Sequence, residues 1–419
     1  MYANDMSISY HKLGSPLTDN GVFGEATKLA AKAYQADRTL FCVQGTTTSN
    51  FMVLRTLKNQ LGTVNMLGTR NAHMSIVTAC NDYGINFIPI EPQYDQKLQF
   101  FVPNSLDQIM DGIQQHQPNV LFLSNPTYEG NSLDLTKVID AVREHHPAIL
   151  IFVDEGWGAH FSFSPLLPTS AMQAGADVCT QSTHKQGNSL QQNSMLHWKD
   201  GRLNSDEMMR SYRALSTTSP SFHLLAALDA TRGFMEERGE EIIADAVAIA
   251  EYFVSRLQTI PQLEVYVARD PTKILLHFPK HDAPSVAAGL EDDGIISEKA
   301  EARNMTLIVG FQNTREHVDV TVRSLKKTLA TLPEVTVDFP LFPTTIERRE
   351  ISGSTSESVA LDAAVGRVCG EYIIPYPPGI PLLGPGEVIR EEHLAYMRAV
   401  QDNEHMTLFM SEPTKIRVL

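Results

Sequence analysis

A chain of 419 residues with 42% apolar and 20% charged side chains can bury the cores of two or three domains. No apolar run in it approaches the ~20 residues of a membrane span. Its formal net charge of −15 argues against nucleic acid or an anionic membrane as partner, and suits a cationic ligand and ordinary solubility equally well.

The first stretch, residues 1–20, is polar, is broken by Gly14, Pro16 and Asn20, and reads as an extended arm without a signal segment. Helical spacing follows over 22–36, then a short strand over 40–43. Next comes Gln44-Gly45-Thr46-Thr47-Thr48-Ser49-Asn50, expected as a turn ahead of a helix over 51–60. Backbone N–H groups and hydroxyls at a helix start suit a phosphate, and Thr and Ser suit a plain cap equally. A strand over 63–66 precedes Arg70 to Ser75, where His73 is either a surface or cap histidine or a ring able to stack on a flat cofactor. Strands over 87–90 and 120–123 alternate with helices over 105–115 and 133–145, which predicts a mostly parallel sheet with helices on both faces.

The run from Ile149 to Asp154 reads as a fully buried strand ending in an acid, and 177–181 as a second strand delivering Ser182-Thr183-His184-Lys185. Ligands bind at the carboxyl ends of such strands. An acid and a lysine there point to pyridoxal phosphate (PLP): the acid keeps the pyridine nitrogen protonated, and the amine holds the aldehyde as a Schiff base.

A strand over 194–198 and a second hydroxyl cluster, Ser216 to Ser221, come next. A long helix over 224–257 then crosses into a smaller domain with strands over 263–267, 274–278 and 305–309 and a helix over 317–329. Residues 339–358 read as a linker, and the proline-dense 373–381 as a rigid loop. These readings place an N-terminal arm at 1–20, a large cofactor domain at 21–235, a small α/β domain at 236–338 and a linker with a C-terminal domain at 339–419. The four cysteines, Cys42, Cys80, Cys179 and Cys369, lack metal-ligand spacing and read as buried free thiols of a reducing cytoplasm.

With GTTTSN, NAHMS, PTYEG, FVDEGWGAHFSFSP, SAMQAGAD, QSTHK, STTSPSF and IIPYPPGIPLLGPGE in order, the chain resembles the bacterial Orn/Lys/Arg decarboxylase family of fold-type I PLP enzymes. It resembles a short member, with only some twenty residues ahead of Gly21. The resemblance implies an aspartate aminotransferase-like large domain with a mostly parallel sheet, and assigns roles position by position. Lys185 is the Schiff-base lysine, Asp154 the partner of the pyridine nitrogen and His73 the stacking ring. Thr47, Thr48 and Ser182 bind the phosphate, His184 lies near the reacting carbon and Trp157 lines the cofactor. Thr218 and Ser219 reach the neighbouring subunit's phosphate, so a homodimer or larger homo-oligomer with shared active sites is implied.

The expected reaction is decarboxylation of arginine, lysine or ornithine in the cytoplasm, with no metal. Glu371 and Glu387, by the proline-rich loop, are candidates to meet the cationic side chain; solvent-facing glutamates are the other reading. Aminotransfer or oxidative deamination on the same cofactor is the leading rival, and a PLP-binding regulatory subunit without catalysis is a further one.

Overall fold

The structure is a computed structural model that describes residues 12–91, 93–98, 100–336, 339–349, 356–376, 379–403 and 406–419. The expected arm at 1–20 therefore lies largely outside the described residues, as do Pro377 and Pro378 of the proline-rich loop and 350–355 of the expected linker. Two compact units emerge, each described below by itself.

The first unit comprises the chain up to Thr69, Ser75–Ile90 and Pro103–Asp245. Its elements in order are α1 (Gly21–Ala33), β1 (Arg38–Cys42), α2 (Gly45–Leu61), β2 (Asn65–Thr69), α3 (Met74–Tyr83) and β3 (Asn86–Ile90). The segment 91–102, with β4 (Gln93–Asp95) and β5 (Phe100–Val102), belongs to the second unit. The first unit then resumes with α4 (Leu106–His116), β6 (Val120–Ser124), α5 (Leu135–His145), β7 (Leu150–Asp154), β8 (Val178–Gln181), β9 (Ser194–Trp198) and α6 (Ser205–Leu215). Helix α7 (Phe222–Leu257) runs past Asp245 into the second unit.

Among the described residues seven strands form one sheet in the order β1-β9-β8-β7-β6-β2-β3. Only β9 runs against the rest, pairing antiparallel with β1 and β8. The expected mostly parallel sheet is what forms. All five residues of β7 are buried, as a central parallel strand covered on both faces requires. Leu121, Leu123, Ile151 and Val153 share one core with α4 and α5.

Local differences from the sequence expectation have physical causes. Helix α2 starts at Gly45, so Thr46 to Asn50 form its first turns instead of a turn ahead of it. Gly45 takes φ +73°, the left-handed conformation that turns the chain from β1 into the helix. The hydroxyls of Thr46 and Ser49 bond other side chains, so they do not compete with the helix backbone. Strand β2 extends through Gly68 to Thr69; a methyl group on Gly68 would stand 2.7 Å from a Phe87 ring carbon and 3.0 Å from Phe122 Cβ.

The second unit carries the four-stranded antiparallel sheet β10 (Glu264–Val267), β11 (Lys273–His277), β13 (Asn304–Ile308) and β12 (Lys299–Glu301), in that order. Helices α8 (Ala283–Glu291) and α9 (Arg315–Thr331) close over it around Ile274, Leu276, Met305 and Leu325. Its C-terminal part holds the ribbons β14 (Glu357–Ala360) with β17 (Lys415–Val418) and β15 (Ile374–Tyr376) with β16 (Thr407–Phe409), and helix α10 (Glu391–Gln401). These bury a separate core that includes Ile373, Leu383, Leu394 and Met397. All four cysteines are buried free thiols. Among the described residues no helix is long and apolar enough to cross a membrane.

Candidate active site

Strands β7 and β8 lie parallel with Asp154 opposite Thr180, so the chain leaves both at the same sheet edge. Beyond β8 a tight turn, closed by Lys185 N–H donating to the Ser182 carbonyl at 3.0 Å, presents the Ser182 and Lys185 side chains. A methyl group on Gly156 would stand 3.2 Å from Asp154 Oδ1, 3.5 Å from Ser182 Oγ and 3.9 Å from Lys185 Nζ. Acid, hydroxyl and amine thus converge on one point that any larger residue at 156 would fill. Lys185 Nζ also lies 4.0 Å from the centre of the Trp157 ring, and Tyr128 meets that ring edge-on at 5.3 Å.

Asp154 is buried, yet both its oxygens are served. Oδ1 accepts from Gly156 N–H at 3.0 Å and Oδ2 from Asn50 Nδ2 at 2.9 Å. Asn50 in turn donates to Ser75 Oγ at 2.9 Å and accepts from Thr180 Oγ1 at 2.7 Å. Ser182 Oγ lies 2.7 Å from Thr46 Oγ1, which also reaches Ser194 at 3.0 Å. Thr47 is exposed on the first turn of α2, and Thr48 donates back to the Gln44 carbonyl at 3.2 Å.

His184 is half-buried, and its Nδ1 donates to the Asn193 carbonyl at 2.8 Å, leaving Nε2 with the lone pair. Burial, then the neighbouring Lys185 charge, lower its pKa against the raising effect of that hydrogen bond, so the ring is neutral near pH 7. Behind Asp154, Glu155 is fully buried and accepts from Ala171 N–H at 2.7 Å and Gln181 Nε2 at 2.7 Å. Burial pushes its carboxyl up to about 8 even so.

Thr218 and Ser219 sit exposed between α6 and α7, and Ser219 N–H donates to Thr217 Oγ1 at 3.2 Å. His73 belongs to the Arg70–Met74 stretch of the second unit, where a methyl group on Gly379 would stand 3.9 Å from its Cδ2. Within that unit Arg70 forks onto Glu387 at 2.5 and 2.8 Å and donates to the Leu382 carbonyl at 3.2 Å.

Glu371 and Glu387 do not fit the expectation of a wall for a cationic side chain. Glu387 is consumed by Arg70, by Arg348 at 3.2 Å and by Gly384 N–H at 3.0 Å. Burial pushes its carboxyl up, and the Arg70 charge and hydrogen bonds outweigh that and hold it below the usual value. Glu371 accepts from the Ser411 and Arg417 N–H groups, each at 2.7 Å. Both are buried and serve the fold of the C-terminal part. Sequence reasoning also missed Thr46, Asn50 and Thr180. Thr46 and Asn50 are four residues apart and share a helical face, a signal that becomes visible only once α2 is started at Gly45.

Two family models match: Orn/Lys/Arg decarboxylase, major domain, over residues 1–275, and Orn/Lys/Arg decarboxylase, C-terminal domain, over 327–407. The arginine decarboxylase of Halalkalibacterium halodurans is 32% identical, over 94% of this chain and 85% of its own length. The inducible lysine decarboxylase of Escherichia coli is 24% identical, over 95% of this chain and 70% of its own. Among solved structures, the lysine decarboxylase of Francisella novicida superimposes with a TM-score of 0.80 at 20% identity, over 99% of this chain and 74% of that one. A NifS-like protein follows the fold with a TM-score of 0.60 at 15% identity, over 77% of this chain and 93% of that one. The chain belongs to the Orn/Lys/Arg decarboxylase family, a family of PLP-dependent lyases.

Proposed function

We propose that the chain decarboxylates a basic amino acid, arginine in the first instance, using PLP held at the ends of β7 and β8. The observation that carries this is the convergence of Asp154, Ser182 and Lys185 on the space over Gly156. That donor set suits PLP: an amine for the aldehyde, a buried carboxylate for a protonated pyridine nitrogen, and hydroxyls at a helix start for a phosphate. Relatives named arginine decarboxylase are 29–32% identical, whereas an inducible lysine decarboxylase is 24% identical, which favours arginine over lysine.

When bound, PLP supplies the sink for the electron pair left on the α-carbon as CO2 departs. Asp154 would face the pyridine nitrogen, held in place by Asn50 and the Gly156 N–H. Ser182, with Thr47 and Thr48 on the first turn of α2, would hold the phosphate in the field of that helix start. Lys185 would hold the aldehyde carbon covalently, and its amine, when free, would be placed to carry a proton. His184, with Nε2 left as acceptor, would take or return a proton near the α-carbon. Trp157 would line the cofactor.

The test is product analysis with arginine, lysine and ornithine on purified protein supplied with PLP. We expect CO2 and the corresponding amine, together with a visible absorbance band that Lys185→Ala removes along with turnover. A keto acid as product would replace the proposal by aminotransfer or oxidation. A band that survives Lys185→Ala would remove the lysine from its role.

A further inference from the structure

The side chain that orients Asp154 is itself locked from behind. Asn50 is fully buried, and its amide uses every hydrogen-bonding group it has: one N–H to Asp154, one to Ser75, and the carbonyl to Thr180. An ionised carboxylate only accepts, so it requires the NH2 edge of Asn50 to face it. A protonated Asp154 would instead donate its O–H, and would be best met by the amide turned over. Turning it over would set the amide NH2 against Thr180 and leave the Ser75 hydroxyl facing the amide oxygen. Thr180 Oγ1 donates to the Asn50 carbonyl at 2.7 Å, and against a turned amide it would have to give up that donation and accept instead. Thr180 lies opposite Asp154 on the adjacent strand, so lock and acid are held in fixed register.

We infer that Asn50 is a positioning residue whose amide, latched by Thr180, holds Asp154 in place and aimed at the cofactor nitrogen. This rests on the PLP reading above. Loss of the amide leaves Asp154 with the Gly156 N–H as its one remaining donor in the group described, in a buried setting where a charged acceptor depends on its donors. Asp154 then gives less support to a protonated cofactor nitrogen.

The test uses PLP-loaded protein in four forms: wild type, Asn50→Leu, Asp154→Asn and the double variant, with Thr180→Val as a milder probe that keeps the amide but removes its latch. Three quantities are read: the pH midpoint of the visible absorbance change, the PLP dissociation constant and the melting temperature of the PLP-free protein. A hydrogen bond to a charged group is of a size to move the midpoint by about one pH unit in Asn50→Leu. PLP affinity should fall ~10- to 100-fold, as when partners behind a ligating group are removed. Thr180→Val should move the midpoint the same way by less. In the Asp154→Asn background Asn50→Leu should move it no further, because the group it acts on is gone.

A purely structural Asn50 would lower the melting temperature equally in both backgrounds and leave the midpoint in place, and that result would overturn the inference. Should Asn50→Leu not fold, an unmoved midpoint in Thr180→Val overturns it just as well. Wild type that binds no PLP would sink the proposed function and this inference together; wild type that binds it with an unmoved midpoint in the variants sinks this inference alone.

Discussion

Three polar groups around a missing side chain define the site at the scale of single residues. Asp154 and Lys185 were legible because each ends or follows an apolar run short enough to be a buried strand. Gly156 was not legible as the point they surround, because a glycine after an acid has the same appearance in any loop. Its importance is steric: Gly156→Ala would push a methyl group to 3.2 Å from Asp154 Oδ1. We expect that variant to fold normally and to lose roughly 5- to 150-fold in PLP affinity, the equivalent of ~1–3 kcal/mol of overpacking. Titration of PLP-free protein with PLP measures it, and wild-type affinity would show the space over residue 156 to be idle. Glu371 and Glu387 failed as substrate readers for the opposite reason. Acids beside a proline-rich loop look available in a sequence, while their actual partners, Arg70 and the Arg417 N–H, lie 317 and 46 residues away.

At the level of the element, strands β1, β8 and β9 share a polar ladder inside the sheet. Thr39 lies 2.8 Å from His197 Nδ1, His197 Nε2 lies 3.1 Å from Gln181 Oε1, and Gln181 Nε2 donates to Glu155. Tyr34 stacks on the His197 ring with centroids 4.6 Å apart. No periodicity announces such a ladder, because it joins single residues of separate strands; strand existence was legible and side-chain pairing was not. Burial lowers the His197 pKa from 6.5 to about 3, so the folded protein keeps the ring neutral where the unfolded chain would protonate it. The stabilising effect of the neutral ring is complete above pH 6.5 and is lost progressively as pH falls toward 3. Melting curves from pH 7 to 4 should therefore show wild type losing ground to His197→Gln as acid is added. A constant gap between the two would mean that His197 titrates normally. The start of α2 was missed at this same scale, since a Thr-rich stretch has weak helix propensity until its hydroxyls are partnered by other strands.

At the scale of the whole molecule, the sequence carried the sheet type and the family well, because buried strands alternating with helices leave few topologies open. The short ribbons of the C-terminal part escaped it; β15 contains Pro375, which a sequence reading sets against a strand and which a two-stranded edge tolerates. The exposed Thr218 and Ser219 bear on assembly, since residues that serve a neighbouring subunit face outward in their own chain. If two chains share each site, Lys185→Ala protein and a Thr218→Ala/Ser219→Ala protein should each be impaired alone. Dissociated and mixed, they should regain one working site per mixed dimer. Mixed dimers that form without recovering turnover would assign each site to a single chain.

The place of β1 in the sheet also has a consequence for synthesis. Among the described residues strand β1 lies at the edge of the sheet with β9 as its neighbour, and Arg38 pairs with Trp198, about 160 residues further along. Elongation at ~5–20 residues per second leaves roughly 8 to 30 s between the appearance of one strand and of the other. Throughout that interval Leu40, Phe41 and Cys42 have no β9 to pair with, and Thr46 lacks Ser194 to bond. This edge of the sheet can therefore be completed only late in synthesis, when β9 enters between β1 and β8. A nascent chain arrested before residue 194 would expose an adhesive, unpaired β1.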